Sequence, residues 1–298
     1  MTSPKAQVVR RSPVVVCWDV VQYCGRGLWK MGWRFWLPAG WLMLVVLGAL
    51  IVGYLPLADP NEMDLLSQGT PPDEAHWLGT DGMGRDVFTR VIYGARISLT
   101  VGLCAPLIAM ILGTALGVSA GYFRGRWQSA VMMYADISLA FPGIILLLLL
   151  VTYLGQSLFN VTVALGILIT PSYTRIARAN TLSLVEREFI TAARAMGAGH
   201  TRILLRQILP NVLLPVMAYT FVLVALVIVL EGVLSFLGLG VPAPAPSWGS
   251  MISEGRELLD QAPQLSMAPA LVMFLTVLSF NILGDLLRKQ FDTRESKM

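Results

Sequence analysis

The stretch Ile97–Phe123 reads ISLTVGLCAPLIAMILGTALGVSAGYF and contains no charged residue. A helix rises about 1.5 Å per residue, so roughly 20 apolar residues cross the ~30 Å hydrocarbon core of a bilayer. The composition agrees: 55% of the 298 residues are hydrophobic and only 13% are charged, whereas soluble domains carry about 25% charged residues. The sequence therefore predicts a membrane protein and excludes a soluble enzyme, a disordered chain and a nucleic-acid-binding domain.

Five further apolar runs have the length of a membrane span. The uncharged segment Ile137–Thr174 is too long for one span, and the polar group Gly155–Ser157 with Asn160 divides it into two. The five predicted spans are 35–58, 137–154, 158–175, 212–237 and 265–287. We therefore predict an all-α polytopic membrane protein with six transmembrane helices.

The basic residues set the orientation, because cytoplasmic loops of membrane proteins are rich in Lys and Arg. With six spans, 18 of the 22 Lys and Arg residues lie on one side of the membrane, and ten acidic residues lie on the other. Both termini are therefore predicted to be cytoplasmic. The predicted segments are a tail at 1–34, a first span at 35–58, an extracytoplasmic loop at 59–95, a core of five spans at 96–287 with a cytoplasmic loop at 175–211, and a tail at 288–298.

The first 34 residues contain no cleavable signal, because charges follow their short apolar run at once. Their tryptophans favour a helix lying on the inner leaflet, and a plain basic tail is the open alternative. The three cysteines, Cys17, Cys24 and Cys104, form neither a CxxC pair nor a cluster with histidine. No disulfide framework and no metal site is predicted.

The cytoplasmic loop 175–211 contains a patch of small residues, TAARAMGAG, at 191–199. Its first part favours a helix that Gly197 and Gly199 interrupt, and we expect a short second helix near 200–209 that Pro210 ends. Small side chains would let the loop enter a groove of another protein. The alternative is a solvated basic connector.

The spacing of this loop resembles the EAA loop of bacterial ABC importer permeases. The matching residues are Thr191, Ala192, Ala193, Gly197, Leu209 and Pro210. In that family the loop docks on the ATPase subunit. This sequence departs from the family pattern in having Thr191 in place of glutamate and Gln207 in place of isoleucine.

Three further segments resemble the dipeptide/oligopeptide/nickel branch of this family, of the C-subunit type. They are His76–Gly102, Glu231–Ser250 and Asn281–Arg294, and with the loop they cover about 76–298. The resemblance implies a type I ABC importer permease fold in the bacterial cytoplasmic membrane. It also implies a function in importing peptides or, alternatively, nickel or another small solute.

The implied partners are a second homologous permease subunit, two ATPase subunits, an extracytoplasmic substrate-binding protein and membrane lipid, with no nucleic acid. ATP and Mg belong to the ATPase subunits, because this sequence lacks the GxxxxGK[ST] loop that cradles phosphates. No cofactor is therefore expected on this chain, and no catalytic residue. The sequence does not identify substrate-binding residues.

Charged residues near the spans have simple structural interpretations. In the motif LGTDGMGRDV, Gly79 and Gly84 permit turns, while Asp81, Arg85 and Asp86 are expected to pair in an ordered extracytoplasmic elbow. His76 is expected to form a structural hydrogen bond, and the resemblance to nickel permeases leaves a metal contact as the alternative. Glu231 is expected near the outer surface, in an interhelical hydrogen bond or, alternatively, at an outer gate or bound to a substrate amine.

Asp285 is predicted to pair with Arg288 one helical turn later, near the cytoplasmic end of the last span. Together with Asp136, Asp285 is the pair that an intramembrane aspartyl protease would need. Both carboxylates are predicted at cytoplasmic helix ends, and residues 282–285 lack the first glycine of that family's GxGD pattern. A secondary transporter is also disfavoured, because no internal repeat and no midplane acid is present.

Overall fold

The computed structural model describes residues 32–64 and 66–295, and helices dominate these residues. The first half forms α1 Trp33–Ile51, α2 Val87–Phe123, α3 Gly125–Ala140, α4 Gly143–Leu154 and α5 Leu158–Val185. The second half forms α6 Glu188–Ala195, α7 His200–Ile203, α8 Leu209–Phe236, α9 Trp248–Gly255 and α10 Gln264–Glu295. Short 3-10 turns follow α1 and α9.

Four helical runs in the described part are long and apolar enough to cross a membrane. They are Trp33–Tyr54, Val87–Phe123, His200–Phe236 and Gln264–Lys289, and the bent pair α3–α4 adds a fifth crossing if it counts as one. The remaining predicted span lies in α5, which has 28 residues but carries Arg175 and Arg178 in its second half. The number six therefore stays a prediction.

The predicted span at 137–154 is not one continuous helix, because the chain bends by 94° between α3 and α4. Phe141 has an extended backbone, with φ −75° and ψ 140°. Pro142 disfavours a helical conformation at the residue before it, which ends α3 at Ala140. α4 has 12 residues and covers only about 18 Å, so it needs part of α3 to complete a crossing.

Three other predicted boundaries also move. α2 begins at Val87 rather than 96, because the Asp86 carboxylate accepts a hydrogen bond from Thr89 N–H at 2.7 Å and caps the helix. α10 continues through most of the predicted C-terminal tail, to Glu295. The predicted N-terminal tail lies outside the described residues, except for its last three residues, where α1 already begins.

A stripe of glycines on α2 lets this helix pack directly against α5. Gly113, Gly117 and Gly121 recur at every fourth position, which places them on one face. An added Cβ at Gly117 would lie 2.4 Å from the Thr174 carbonyl oxygen, and one at Gly113 would lie 2.5 Å from Tyr173 Cβ. Small residues at this spacing allow the close helix contacts on which membrane proteins depend.

A second apolar cluster joins the outer helices to α2 and α8. Val45 of α1, Leu99 of α2, Ile228 of α8 and Phe280 of α10 are buried in this cluster. Hydrogen bonds connect Ser98 with Glu231 and Trp248 at one end of the helices, and Tyr122 with His200 at the other end. The basic residues predict that the first end is extracytoplasmic and the second end is cytoplasmic.

Candidate functional site

The cytoplasmic end of the chain presents α6 as a short helix between two turns. After α5 ends, Arg187 N–H donates to Leu184 O at 3.0 Å. After α6, Gly197 adopts φ +79°, a conformation that other residues resist. Ala198 N–H donates to Ala193 O at 3.0 Å, which closes the turn. The predicted interruption at Gly197 is therefore present in the structure.

The two faces of α6 differ sharply. Ile190 and Ala193 are 0% and 2% exposed, and both point into this chain. The adjacent face exposes Phe189 (46%), Met196 (82%) and the small side chain of Ala192. The face offers an apolar surface with a shallow centre, which is suited to a groove on a second protein.

The predicted small-residue patch is therefore divided between the two faces. Thr191, Ala192 and Gly197 lie on the surface, but Ala193 packs inside the chain and does not contribute to an outer docking face. The physical reason is the helical period, since Ala193 lies three residues after Ile190 and shares its inward face.

The expected helix end at Pro210 is wrong. A π-helical turn at Leu204–Ile208 joins α7 to α8, and Leu209 N–H reaches Leu204 O five residues back. Pro210 lies near the start of α8, directly after the π-helical turn, and Leu209 before it keeps a helical backbone, with φ −54° and ψ −47°. Leu209 and Pro210 thus begin a spanning helix rather than close a loop helix.

Aromatic and basic side chains connect α6 with its neighbours. Tyr122, in the last turn of α2, is hydrogen-bonded through its hydroxyl to His200 Nδ1 at 2.8 Å. The Arg194 guanidinium lies 5.4 Å from the centroid of the Tyr122 ring, which is cation–π distance. The ring of His200 also packs edge-on against Tyr122, with centroids 5.6 Å apart.

At the extracytoplasmic end, two arginines occupy a buried ion-pair network. Arg85 donates through Nε to Asp81 Oδ2 at 2.6 Å and through Nη2 to Glu254 Oε2 at 2.7 Å. Arg90 lies 3.3 Å from the same Glu254 oxygen and donates to Pro60 O at 3.0 Å. The network fastens the elbow before α2 to α9, 164 residues further along the chain.

The elbow motif is built around Asp86 and two glycines. Asp86 caps α2 and is hydrogen-bonded to His76 Nδ1 at 3.0 Å, while Asp81 rather than Asp86 pairs with Arg85. Gly79 and Gly84 both adopt φ +75°, and an added Cβ at Gly84 would lie 1.8 Å from Asp64 O. Hydrogen bonds from the Ser67 hydroxyl and Leu66 N–H lower the pKa of Asp64 itself.

Glu231 is fully buried between three elements. Its carboxylate accepts hydrogen bonds from Ser98 of α2 at 3.1 Å and from Ser235 at 2.8 Å. Trp248 N–H, at the start of α9, donates to Ser98 Oγ at 3.2 Å. The structure thus gives Glu231 the interhelical hydrogen bond of the first interpretation, from Ser98, and a second bond within α8, from Ser235, so that both of its oxygens accept a hydrogen bond.

The two remaining acidic candidates lie apart from this junction. Asp136 pairs with Arg175 at 2.6 Å on the surface between α3 and α5. Asp285 is exposed, and the described residues show no ion pair between Asp285 and Arg288. The predicted local pair is wrong, because both side chains remain in solvent, where a surface pair gains little.

Sequence reasoning missed Arg90, Glu254 and the glycine stripe on α2. The stripe was readable, because Gly113, Gly117 and Gly121 have the spacing of a small-residue packing motif. The pairing of Arg90 with Glu254 had no local signal, since the two residues are far apart in the chain.

Comparison with known proteins decides the family. Residues 113–297 match the family of the binding-protein-dependent transport system inner membrane component. The chain belongs to this family. The permease is 39% identical over 276 residues to the glutathione transport system permease protein GsiD of Pectobacterium atrosepticum, which covers 89% of this chain and 91% of that protein. It is 40% identical over 253 residues to GsiD of Escherichia coli, with 85% and 84% of the two chains covered.

Solved structures show the same fold. The inward-facing MetNI methionine ABC transporter matches with a TM-score of 0.56 at 18% identity, over 67% of this permease and 95% of that chain. An amino acid ABC transporter with histidines matches with a TM-score of 0.51 at 15% identity, over 68% and 94% of the two chains. The type I ABC importer permease fold predicted from the sequence is confirmed.

These matches also settle the broader predictions. The permease is a transport subunit of an ABC importer and not an enzyme, and it resides in the bacterial inner membrane. As its family name states, it works with other components of a binding-protein-dependent system.

Proposed function

We propose that this permease forms one half of the translocation path of an ATP-driven importer for glutathione or other short peptides. The observation that carries the proposal is the identity of about 40% to glutathione permeases over most of both chains. These relatives favour a peptide substrate over nickel. A second homologous permease would form the other half of the path.

In this proposal α6 is the coupling helix, which docks on an ATPase subunit. Two such subunits would bind ATP and Mg, and an extracytoplasmic binding protein would deliver the substrate to the opposite face. The exposed face of Phe189, Ala192 and Met196 supports this role, because it offers an apolar surface to a partner. Within α6 only Ile190 and Ala193 are buried by the rest of the chain.

Two substitutions test the docking face without disturbing the interior of the chain. Ala192→Trp adds bulk on the exposed side of α6, and overfilling a packed interface costs about 1–3 kcal/mol. We expect it to lower the affinity for the ATPase by about five- to 150-fold, measured by co-purification, and to reduce uptake. Ala192→Ser keeps the side chain small and is the matched control.

Gly197→Ala tests the turn, because alanine resists the φ of +79° found there. Gly199→Ala is its control, since Gly199 has φ −67° and open space around the added methyl. Uptake of labelled glutathione and ATPase co-purification are measured on the same membranes. If Ala192→Trp and Gly197→Ala assemble and transport like their controls, the docking role of α6 is wrong.

A further inference from the structure

One side chain at the end of α2 contacts both α6 and the start of α7. Tyr122 is 7% exposed and combines the hydrogen bond to His200 with the cation–π contact to Arg194. These contacts join three elements, namely the last turn of α2 with Tyr122, the last turn of α6 with Arg194, and the first residue of α7, His200. The hydrogen bond is partly buried, with Tyr122 inside the chain and His200 at its surface.

The other contacts of α6 hold it less strictly in position. Ile190 and Ala193 make apolar contacts, which are non-directional and permit sliding. The nearby Arg124–Glu186 ion pair has side chains that are 49% and 73% exposed, and exposed pairs contribute little. A displacement of α6 would therefore reach α2 where Arg194 lies over the Tyr122 ring, and would reach α7 through the hydrogen bond from Tyr122 to His200.

Both helices that meet at Tyr122 extend to the extracytoplasmic junction. α2 has 37 residues and is about 55 Å long, and its other end carries Arg90 and Ser98. The run that begins at His200 continues through the π turn to Phe236 and carries Glu231. Tyr122 thus lies where α6 contacts the two helices that Glu231 and Ser98 join at the far side of the membrane.

We propose that Tyr122 is a positioning residue that transmits the displacement of α6 to α2 and, through His200, to α8. The proposal rests on the proposed function, in which the ATPase moves α6. In this role Tyr122 does not touch the substrate. It determines how much of each ATP-driven movement reaches the translocation path.

The test uses the complete importer in proteoliposomes, with the binding protein and glutathione as the probe. The readout is the amount of glutathione imported per ATP hydrolysed, because a residue needed only for folding changes the amount of active complex and not this ratio. Tyr122→Phe removes the hydroxyl and keeps the ring under Arg194. We expect the ratio to fall about two- to tenfold, the factor that corresponds to one net hydrogen bond.

Variants of His200 test the same bond from its exposed partner. His200→Leu should lower the ratio as Tyr122→Phe does, and His200→Asn should restore much of it, because the asparagine amide can occupy the position of Nδ1. The double variant Tyr122→Phe/His200→Leu should be no worse than either single variant, since residues that share one bond are not additive. Tyr134→Phe on α3 is the matched control, because the Tyr134 hydroxyl makes no hydrogen bond within the described residues.

Several outcomes would overturn the proposal. One is a ratio in Tyr122→Phe and His200→Leu that equals that of Tyr134→Phe. Another is a double variant whose loss is the product of the two single losses. Reduced yield of Tyr122→Phe together with a normal ratio in His200→Leu would assign Tyr122 a structural role only. Failure of the unmodified complex to import glutathione would instead contradict the proposed function and is distinguished by that control.

Discussion

Replacing Gly117 by alanine should separate α2 from α5. The added Cβ would lie 2.4 Å from Thr174 O and 2.7 Å from Ala177 Cβ, whereas carbon atoms in ordinary contact are about 3.5–4.0 Å apart. The 2.4 Å neighbour is a backbone atom, so no side-chain rotation can relieve that contact. The two helices must therefore move apart by about 1 Å, which also loosens their contacts at Gly113 and Gly121.

The magnitude follows from two opposing effects. Overfilling a packed site costs about 1–3 kcal/mol, and a rigid backbone neighbour favours the upper part of this range. Alanine also gains roughly 0.5–1 kcal/mol over glycine within a helix. The net expectation is a loss of about 1–2 kcal/mol in the free energy of unfolding of the purified permease in mixed micelles.

Gly40→Ala in α1 is the matched control for this experiment. It makes the same replacement within a helix, but nothing lies within 4 Å of the added methyl. We expect this variant to be neutral or slightly stabilising. Equal unfolding free energies for Gly117→Ala and Gly40→Ala would refute the close packing of α2 on α5.

Three further predictions concern the extracytoplasmic side. Glu231→Leu should lower the free energy of unfolding by about 1–3 kcal/mol, because two buried serine hydroxyls lose their acceptor. Glu231→Gln should be less affected, and equal unfolding curves for the unmodified permease and both variants would contradict this prediction. Glu254→Gln should lower the free energy of unfolding by about 1.5 kcal/mol, the low end for hydrogen bonds to charged groups, because Glu254 is 40% exposed. Glu257→Gln, at an exposed residue nearby, is the control, and an equal loss in both variants would contradict the ion-pair network. In a cysteine-free background, a thiol at Asp64 should react with an impermeant reagent from outside intact cells and a thiol at Ser183 should not; the reverse pattern would contradict the orientation.

The membrane class, the all-α fold and most of the long apolar helices could be predicted from the sequence. These features depend on local composition, because a charge-free run of about 20 residues has few alternatives to a bilayer. The ends of helices were less predictable. Asp86 as a cap and Phe141–Pro142 as a bend are local signals that a search for apolar runs ignores.

The site itself could be located from the sequence but not oriented. The small-residue motif identified the turn after α6, yet only the packing of Ile190 distinguishes the buried Ala193 from the exposed Ala192. Tyr122 and His200 are 78 residues apart in the chain, and no spacing rule connects them. Such pairs depend on how the helices pack, which a single sequence does not specify.

The most direct test of the account is reconstitution of the complete importer. Proteoliposomes contain this permease, the second permease and the ATPase subunits, with the binding protein and labelled glutathione on the extracytoplasmic side and ATP on the other. The account predicts that labelled glutathione accumulates and that accumulation stops when ATP, the binding protein or this chain is omitted. Unlabelled short peptides should reduce the accumulation. Accumulation that persists without ATP, or ATP hydrolysis by this chain purified alone, would contradict it.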